Sequence, residues 1–424
     1  MHKNNVADPT ERQEPTSETL DNYKELTRLS RIIDYSQQPF KFAKAIFEEY
    51  VTQNDDWKNK RVGFAALFDL AVTACYLEKV ADQGWVYCHQ PEQSVLTYPF
   101  VNACPRCTLA GTFAYTKGKK PKSAAIGKTT SNILAAFLDL TIKKSHPSHH
   151  IRILNDSGVV DAYLKGPKSL VLFEIKSAPL VPFPIVTETA EITEYDEVTG
   201  EKKLLENHSQ TRVDQNAQSF LIIDTELRIP VGMPKNYKTG NHYEIIYDWL
   251  KQANNLERYT ASWLETFDGY ANPSRRSETY WLTNGCGTPK PRPADWPKLS
   301  SGNGYRTISD GKSSVGMDRT DDLKKGIYQV LKISTHYKEH FPSENREVYA
   351  ALASNIHAVK HRSEYISELE NIAWTVDGEA KSYVTLNDDG SFRVEKGKLY
   401  NLFDAIITFT ESHFRSDFIK DLYE

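Results

Sequence analysis

Two carboxylates and one lysine, Asp161, Glu174 and Lys176, occur in a pattern suited to the hydrolysis of phosphodiester bonds. Glu174 and Lys176 are two residues apart, so their side chains project from the same face of a β-strand. Carboxylate oxygens are ligands that Mg²⁺ prefers, and a lysine beside the metal can orient or deprotonate an attacking water. The three side chains could perform this chemistry if the fold brings Asp161 against the other two.

The segments that carry these residues are typical of a β-hairpin. Residues 159–164 and 170–175 are rich in β-branched and apolar side chains, and Gly166 and Pro167 between them mark a tight turn. Chance matches to this spacing are frequent, and most of them are solvated strand faces. Here the charged pair interrupts an apolar run, and burying it without a partner or a metal would cost several kcal/mol. We therefore expect a functional site at the end of the hairpin.

The overall composition limits the class of protein. With 39% hydrophobic and 25% charged residues, the 424-residue chain is globular, and its length allows two to three domains. A net charge of −4 is not that of a general nucleic-acid coat protein, although a local basic cleft can exist within an acidic exterior. The sequence contains no long apolar run, no apolar signal segment at the N-terminus and too few cysteines for a disulfide framework. We expect a cytoplasmic protein without a membrane span.

Hydrophobic periodicity predicts the elements around the hairpin. Helices are predicted over residues 21–35, 40–51, 62–80, 129–143, 211–220, 248–266, 321–332, 347–359 and 400–409. Strands or short buried segments are predicted at 85–89, 221–225 and 243–247, and further hairpins at 186–206 and 383–395. Thr130 or Ser131 is the expected N-cap of the helix that precedes the hairpin. Residues 270–317 form a long loop region rich in Pro, Gly and basic residues.

Asp161, a spacer and then Glu174-Ile175-Lys176 across a hairpin resemble the PD-(D/E)xK nuclease superfamily, to which most type II restriction endonucleases belong. Val160 stands where the superfamily usually has Pro, a departure that does not touch the chemistry. The resemblance covers roughly residues 125–225. The chain is also similar to the ApaLI-like restriction endonucleases. The motifs that carry this similarity are a Cys-x-x-Cys pair, the run Lys-Pro-Lys-Ser-Ala-Ala-Ile-Gly that ends at Gly127, and the hairpin followed by Ser-Ala-Pro.

The resemblance implies an α/β restriction-endonuclease-like core, with a central mixed β-sheet flanked by helices. The core would carry a helical N-terminal layer, a small zinc knuckle and C-terminal helical elaborations. The implied organisation is a flexible tail at 1–19, a helical region with the cysteine knuckle at 20–116, the nuclease core at 117–250, and an accessory region for DNA recognition and dimerisation at 251–424.

The resemblance also implies a mechanism and a partner. Asp161, Glu174 and the backbone carbonyl of Ile175 would bind Mg²⁺, and Lys176 would orient the water. The enzyme would be a homodimer that cuts double-stranded DNA at a short palindromic site. In many members the helix before the hairpin contributes a further acidic ligand. Asp139 lies late in that predicted helix and Asn132 stands where the acid usually appears, so no residue is assigned this role.

Cysteines upstream of the hairpin indicate a zinc site. Cys104 and Cys107 form a CxxC pair, and Cys88 precedes them. In a reducing compartment this pattern favours structural Zn²⁺ with three thiolate ligands, which would pin a loop beside the DNA. The fourth ligand stays open between His89, Cys75 and Cys286. Small core residues or a loose thiol pair are the alternative interpretation.

Basic residues before and after the hairpin are candidate DNA contacts, because Lys and Arg supply most phosphate affinity and Arg reads guanine. The candidates are Lys119, Lys120, Lys122, Lys128, Ser177, Arg275 and Arg276. A solvated loop is the usual alternative for such a run of lysines. For the whole chain, two alternatives remain. One is a non-specific or repair nuclease with the same core, and the other is a non-catalytic zinc-containing DNA- or protein-binding module.

Overall fold

The computed structural model describes residues 26–83, 86–87, 94–97, 123–154, 160–181, 183, 185–188, 215–224, 226–284, 315–340, 347–374, 383–396 and 399–424. The helices are α1 Phe40–Gln53, α2 Val62–Gln83, α3 Ser123–Ser145, α4 Asn241–Leu250, α5 Asn255–Ala271, α6 Glu278–Asn284, α7 Thr320–His340, α8 Arg362–Tyr365 and α9 Asp417–Tyr423, with 3₁₀ helices at Pro234–Thr239, Pro273–Arg275 and Gly316–Asp318. None of the helices in these ranges is long and apolar enough to cross a membrane.

The strands form one large mixed sheet and three smaller antiparallel sheets. They are β1 Ser30–Ile32, β2 Val86–Tyr87, β3 Ser94–Thr97, β4 Ile151–Leu154, β5 Ala162–Lys165, β6 Ser169–Ile175, β7 Ile185–Glu188, β8 Ser219–Ile222, β9 Arg228–Gly232, β10 Glu347–Ala353, β11 Ala373–Trp374, β12 Tyr383–Leu386, β13 Phe392–Lys396, β14 Tyr400–Asn401, β15 Ala405–Ile407 and β16 His413–Phe414.

The seven-stranded sheet has the order β1-β4-β5-β6-β10-β15-β16. Neighbours from β1 to β6 are antiparallel, β10 is parallel to both β6 and β15, and β16 closes the edge in antiparallel orientation. A second sheet contains β2, β3, β7, β8 and β9. The chain is therefore an α/β protein built around a mixed sheet, as the sequence predicts.

The predicted hairpin is confirmed as β5 and β6, with Ala162 paired to Phe173. All seven residues of β6 are buried, because the sheet is covered on both faces. Val171, Phe173 and Ile175 of β6 pack in a core cluster with α1, α2 and α3. Leu170 and Leu172 pack in a second cluster with α7. The alternation of side chains thus separates a layer containing α3 from a layer containing α7.

The N-terminal helical layer is confirmed by α1 and α2. Residues 30–32, which were predicted to be helical, are not. Ser30–Ile32 forms the edge strand β1, paired with β4. Thr130 and Ser131 are not N-caps, because α3 begins earlier, at Ser123. The Thr130 hydroxyl instead lies inside the helix and donates to the carbonyl of Ser177, just after β6, at 3.0 Å.

The C-terminal helical elaborations are wrong in two places. Residues 347–353 form strand β10, and residues 400–401 and 405–407 form strands β14 and β15 instead of a closing helix. A strand covered on both faces has a continuous apolar pattern. In a short segment, this pattern does not distinguish a strand from a buried helix. Tertiary pairing with β6 decides the outcome for β10.

Two predictions in the central part of the chain are wrong. Residues 243–247 lie in helix α4, whose buried side chains Tyr243, Ile246, Trp249 and Leu250 follow helical spacing. Residues 219–220, predicted at the end of a helix, belong to strand β8. The hairpin at 383–395 is confirmed as β12 and β13, with Gly390 at φ +81° in the turn.

A buried ion pair links α7 to the sheet. Lys338 Nζ lies 2.6 Å from Asp404 Oδ2, and both side chains are less than a tenth exposed. The same carboxylate oxygen accepts the N–H of Ala350 in β10 at 2.7 Å. Removing one partner of such a pair leaves an uncompensated buried charge.

We expect Asp404→Ala to lower the free energy of unfolding by about 3–5 kcal/mol, measured by urea denaturation. Asp248→Ala is the matched control, because Asp248 is 70% exposed in its pair with Lys251 and should change stability by less than about 1 kcal/mol. Equal effects in the two variants would show that the buried pair does not hold α7 to the sheet.

Candidate active site

The hairpin brings the two carboxylates together. The β5–β6 register, extended by one residue beyond Ala162 and Phe173, places Asp161 directly opposite Glu174. Two hydrogen bonds donated by backbone N–H groups fix this arrangement: Asp161 N–H donates to the Phe173 carbonyl at 3.1 Å, and Ile175 N–H donates to the side-chain Oδ2 of Asp161 at 2.8 Å. The positions that the sequence singled out are therefore adjacent in space.

Lys176 completes the group. Its ammonium donates to the Glu174 carboxylate as a salt bridge, in which the lysine side chain is 22% exposed and the glutamate 7%. The Lys176 backbone N–H donates to the Ala353 carbonyl of β10 at 2.9 Å. The lysine is thus held at the backbone by a parallel strand and at its tip by a buried carboxylate.

A cavity of about 430 Å³ opens at this end of β6. Its lining comes from three parts of the chain: α3 on one side, the end of the hairpin in the middle, and the start of α7 with the preceding turn on the other. The polar and charged residues that line it are Lys128, Ser131, Asn132, Asp161, Lys176, Ser177, Arg319, Asp322 and Lys325. Glu174 does not line the cavity and contacts it through Lys176.

Burial raises the pKa of both carboxyl groups. Burial raises the pKa of Glu174 to about 7, with a further increase from Asp161 and an opposing decrease from Lys176. Burial also raises the pKa of Asp161, against the N–H of Ile175 and the ammonium of Lys176. Burial alone would lower the pKa of Lys176, yet the net shift is upward because Glu174, Asp161 and Asp322 surround it with negative charge. Lys176 is therefore a firmly protonated cation near neutral pH.

Two glycines allow the α7 layer to approach Lys176. Gly316 has φ +54°, and a Cβ there would lie 2.9 Å from Ser354 Oγ and 3.2 Å from the Lys176 carbonyl oxygen. Gly326 lies inside α7, where a Cβ would meet Leu352 Cδ1 at 3.1 Å and Lys176 Cγ at 3.2 Å. A glycine inside a helix costs about 1 kcal/mol relative to alanine. The close packing of α7 on the Lys176 side chain explains why a glycine occupies position 326.

The segment after Lys176 is held by reciprocal hydrogen bonds. Asn355 Nδ2 donates to the Ala178 carbonyl at 2.9 Å, and the Ala178 N–H donates to Asn355 Oδ1 at 3.3 Å. Further along, Val181 N–H donates to the buried carboxylate of Asp69 in α2, at 2.8 Å. The exit from β6 is thus fixed both to the segment after β10 and to α2, which limits the positions available to Lys176.

The donor set suits a hard divalent cation. Asp161, Glu174 and the Ile175 carbonyl would offer oxygen ligands of the kind that Mg²⁺ prefers, and a cation there would favour the ionised carboxylates, whose pKa values burial raises. Within the described ranges, no group of three or more His, Cys, Asp or Glu side chains could hold a metal ion. Water and substrate oxygens would therefore have to complete the coordination shell.

The other predicted site residues have different positions. Lys128 and Ser177 line the cavity, and the buried Ser177 hydroxyl has no hydrogen-bond partner among the described residues. Arg275 pairs with Asp268 at 3.1 Å, and the Arg276 guanidinium lies 4.9 Å from the Tyr280 ring centroid. Neither arginine lines the cavity. Outside the described residues lie Lys119, Lys120, Lys122, Cys88, Cys104, Cys107, His89 and Cys286.

The helix before the hairpin contributes an amide to the cavity through Asn132. The carboxylate of Asp139 serves the fold instead, since it accepts the N–H of Ile151 at 2.7 Å and the hydroxyl of Tyr35 at 2.7 Å. Arg319, Asp322 and Lys325 were not found from the sequence. No local signal marks them, because they reach the cavity only through the packing of α7 on the sheet.

The raised pKa of Glu174 predicts a pH-dependent stability. A pKa raised from 4.5 in the unfolded chain to about 7 in the folded protein gives stability that is full below pH 4.5 and is lost as pH rises through about 7. We expect the free energy of unfolding to fall between pH 5 and pH 8 by on the order of 2–3 kcal/mol more in the wild type than in Glu174→Gln. Denaturant titrations at the two pH values measure this difference, and parallel curves would refute the shift.

The packing of α7 on Lys176 predicts opposite effects of two glycine substitutions. Gly127 lies in α3, and a Cβ there would meet nothing within 4 Å, so Gly127→Ala should stabilise the protein by about 0.5–1 kcal/mol. Gly326→Ala gains the same helix propensity but crowds Lys176 and Leu352, so it should fail to stabilise and should lie at least about 1 kcal/mol below Gly127→Ala. Thermal unfolding of both variants measures the difference; equal stabilisation would show that Gly326 does not make room for Lys176.

Comparisons of the chain with protein-family models, curated proteins and solved structures returned no match. A functional assignment therefore depends on the geometry and chemistry of the site itself.

Proposed function

We propose that this protein is a Mg²⁺-dependent endonuclease of the PD-(D/E)xK type that hydrolyses phosphodiester bonds in double-stranded DNA. The observation that carries the proposal is the placement of Asp161 opposite Glu174, with Lys176 bonded to Glu174, at the lining of a cationic cavity. Two carboxylates and a lysine at the end of a hairpin are the groups that the reaction requires.

The fold supports this proposal at a coarser level. A helix, α3, is followed by the antiparallel strands β4, β5 and β6 within a mixed sheet that helices cover on both faces. This order agrees with the restriction-endonuclease-like core that the resemblance implies. Fold alone does not define an activity, so the side chains at the hairpin end remain the basis of the proposal.

Each residue of the site has a distinct role in the proposed reaction. Asp161, Glu174 and the Ile175 carbonyl would hold the cation. When bound, Mg²⁺ supplies Lewis-acid polarisation of the phosphate. Lys176 orients the attacking water and balances negative charge that develops on the phosphate. Its raised pKa favours this role over that of a general base, because the side chain stays protonated near neutral pH.

We further propose that the enzyme is a type II restriction endonuclease that acts as a homodimer on a short palindromic site. A two-fold symmetric sequence is matched by a two-fold symmetric protein. The size of the chain beyond the hairpin core supports sequence-specific cleavage, because base recognition needs side chains in addition to those that hydrolyse the bond.

We expect purified protein with Mg²⁺ to convert plasmid DNA into discrete fragments, and EDTA to prevent this. Asp161→Asn, Glu174→Gln and Lys176→Met should each slow cleavage by about 100-fold or more, because each removes a group that acts on the reacting phosphate or its cation. Specific binding, measured with Ca²⁺ in place of Mg²⁺, should be largely retained. Asp248→Asn and Lys168→Met are the controls, since both residues are exposed.

Different outcomes separate the alternatives. A smear of random products that requires the same three residues would support a non-specific nuclease and remove the restriction-enzyme assignment. An intact plasmid across a broad range of salt and DNA sequences would contradict the enzyme and favour a binding module. Cleavage at the wild-type rate by any of the three site variants would refute the assigned chemistry.

A further inference from the structure

The cavity carries more positive than negative side chains, although the whole chain has a net charge of −4. Its charged lining residues are Lys128, Lys176, Arg319, Lys325, Asp161 and Asp322. Four cations against these two carboxylates and Glu174, which pairs with Lys176 behind the lining, leave an excess of positive charge that attracts a polyanion.

These cations come from opposite faces of the sheet. The cluster of α3 includes Ile175 on one face of β6, and the cluster of α7 includes Leu172 on the other face. Lys128 of α3 and Lys325 of α7 therefore reach the cavity from two sides, with Asp161 and Lys176 between them. If one DNA phosphate lay at the end of the hairpin, the adjacent phosphates of the same DNA strand would lie close to a cation from each layer.

Arg319 immediately precedes α7 and already has an anionic partner. Its Nε lies 3.3 Å from Asp322 Oδ2, and the two side chains are 48% and 34% exposed. Exposed pairs of this kind contribute little to stability. Arg binds phosphate through parallel hydrogen bonds that are stronger than those of a solvated pair. A phosphate can therefore replace Asp322 as the partner of Arg319.

We infer that Arg319 and Lys325 form a phosphate-binding site for the DNA backbone next to the scissile bond, and that Asp322 holds Arg319 until DNA replaces it. This inference depends on the proposed function and adds to it the residues that position the substrate on the side of α7. Asp322 acts as an internal competitor, which lowers the affinity of the site for isolated anions and keeps the guanidinium at the cavity.

The neighbouring lysine provides a matched control. Lys324 and Lys325 are adjacent and both exposed in α7, but successive helical residues point in different directions. The Lys324 ammonium lies 5.2 Å from the Tyr365 ring centroid, and Lys324 does not line the cavity. Substitution of either lysine by glutamine changes the net charge by the same amount. A difference in DNA affinity between the two variants would therefore depend on the position of the lysine.

The test is binding of a short DNA duplex, measured by fluorescence anisotropy with Ca²⁺ in place of Mg²⁺ over a range of salt concentrations. If cleavage has identified a site, the duplex contains it. We expect Arg319→Gln and Lys325→Gln to weaken binding by about three- to tenfold and to reduce the salt slope by about one each. Asp322→Asn should tighten binding, because Arg319 loses its competitor. Lys324→Gln should bind as the wild type does.

The outcomes distinguish this inference from the proposed function. Wild-type affinity and salt slope in both Arg319→Gln and Lys325→Gln, with plasmid cleavage intact, would overturn the inference and leave the nuclease standing. Equal weakening in Lys324→Gln would also overturn it, because the effect would then be one of net charge. Weaker binding by Asp322→Asn would refute the competitor role. A wild-type protein that neither binds nor cleaves DNA would remove both.

Discussion

The pairing of β5 with β6 is the constraint on which the site depends. It fixes Asp161 opposite Glu174 and brings Lys176 alongside. Like charges that are largely removed from water repel more strongly than in solution. Lys176 and, at Asp161, the backbone N–H of Ile175 only partly offset the effect of burial, since both carboxylates keep raised pKa values. A further cation at the end of the hairpin would therefore stabilise the ionised forms of both carboxyl groups.

The arrangement persists because the rest of the molecule restricts the hairpin. Strand β10 pairs with the full length of β6 and accepts the N–H of Lys176. On one face α7 packs close to the lysine over Gly326, and the buried pair of Lys338 and Asp404 ties the same helix to the sheet. On the other face Thr130 of α3 bonds to the segment that follows Lys176. Rigid support on both sides is what a preorganised reactive site needs.

Charge is distributed unevenly over the molecule. The chain is acidic overall, whereas the cavity has an excess of lysine and arginine drawn from two layers. Such a local field can attract a polyanion to one region of the molecule. Asp161 in the cavity lining and Glu174 behind Lys176 would face the anionic backbone of the proposed substrate, and a divalent cation between them would offset that repulsion. Metal and DNA would in this way support each other's binding.

The sequence by itself determined the hairpin and the three residues at its end. Their spacing is local, a Gly-Pro turn joins the strands, and a period of two assigns Glu174 and Lys176 to one face. It also determined α1, α2 and most of α3 and α7, whose helical periodicity extends over many residues. Lys128 and Ser177 of the cavity could be predicted because they lie near the hairpin in the sequence.

Only the tertiary structure decided the identity of β10, β14 and β15 and the contribution of α7 to the cavity. Residues 347–353 pair with residues 169–175, which are far away in the sequence, and strands covered on both faces lack the alternation that identifies a strand. Arg319, Asp322 and Lys325 reach the cavity because α7 packs against this parallel pair. Short-range patterns fix local geometry, but the choice between helix and strand in a short apolar segment depends on the partner that buries it.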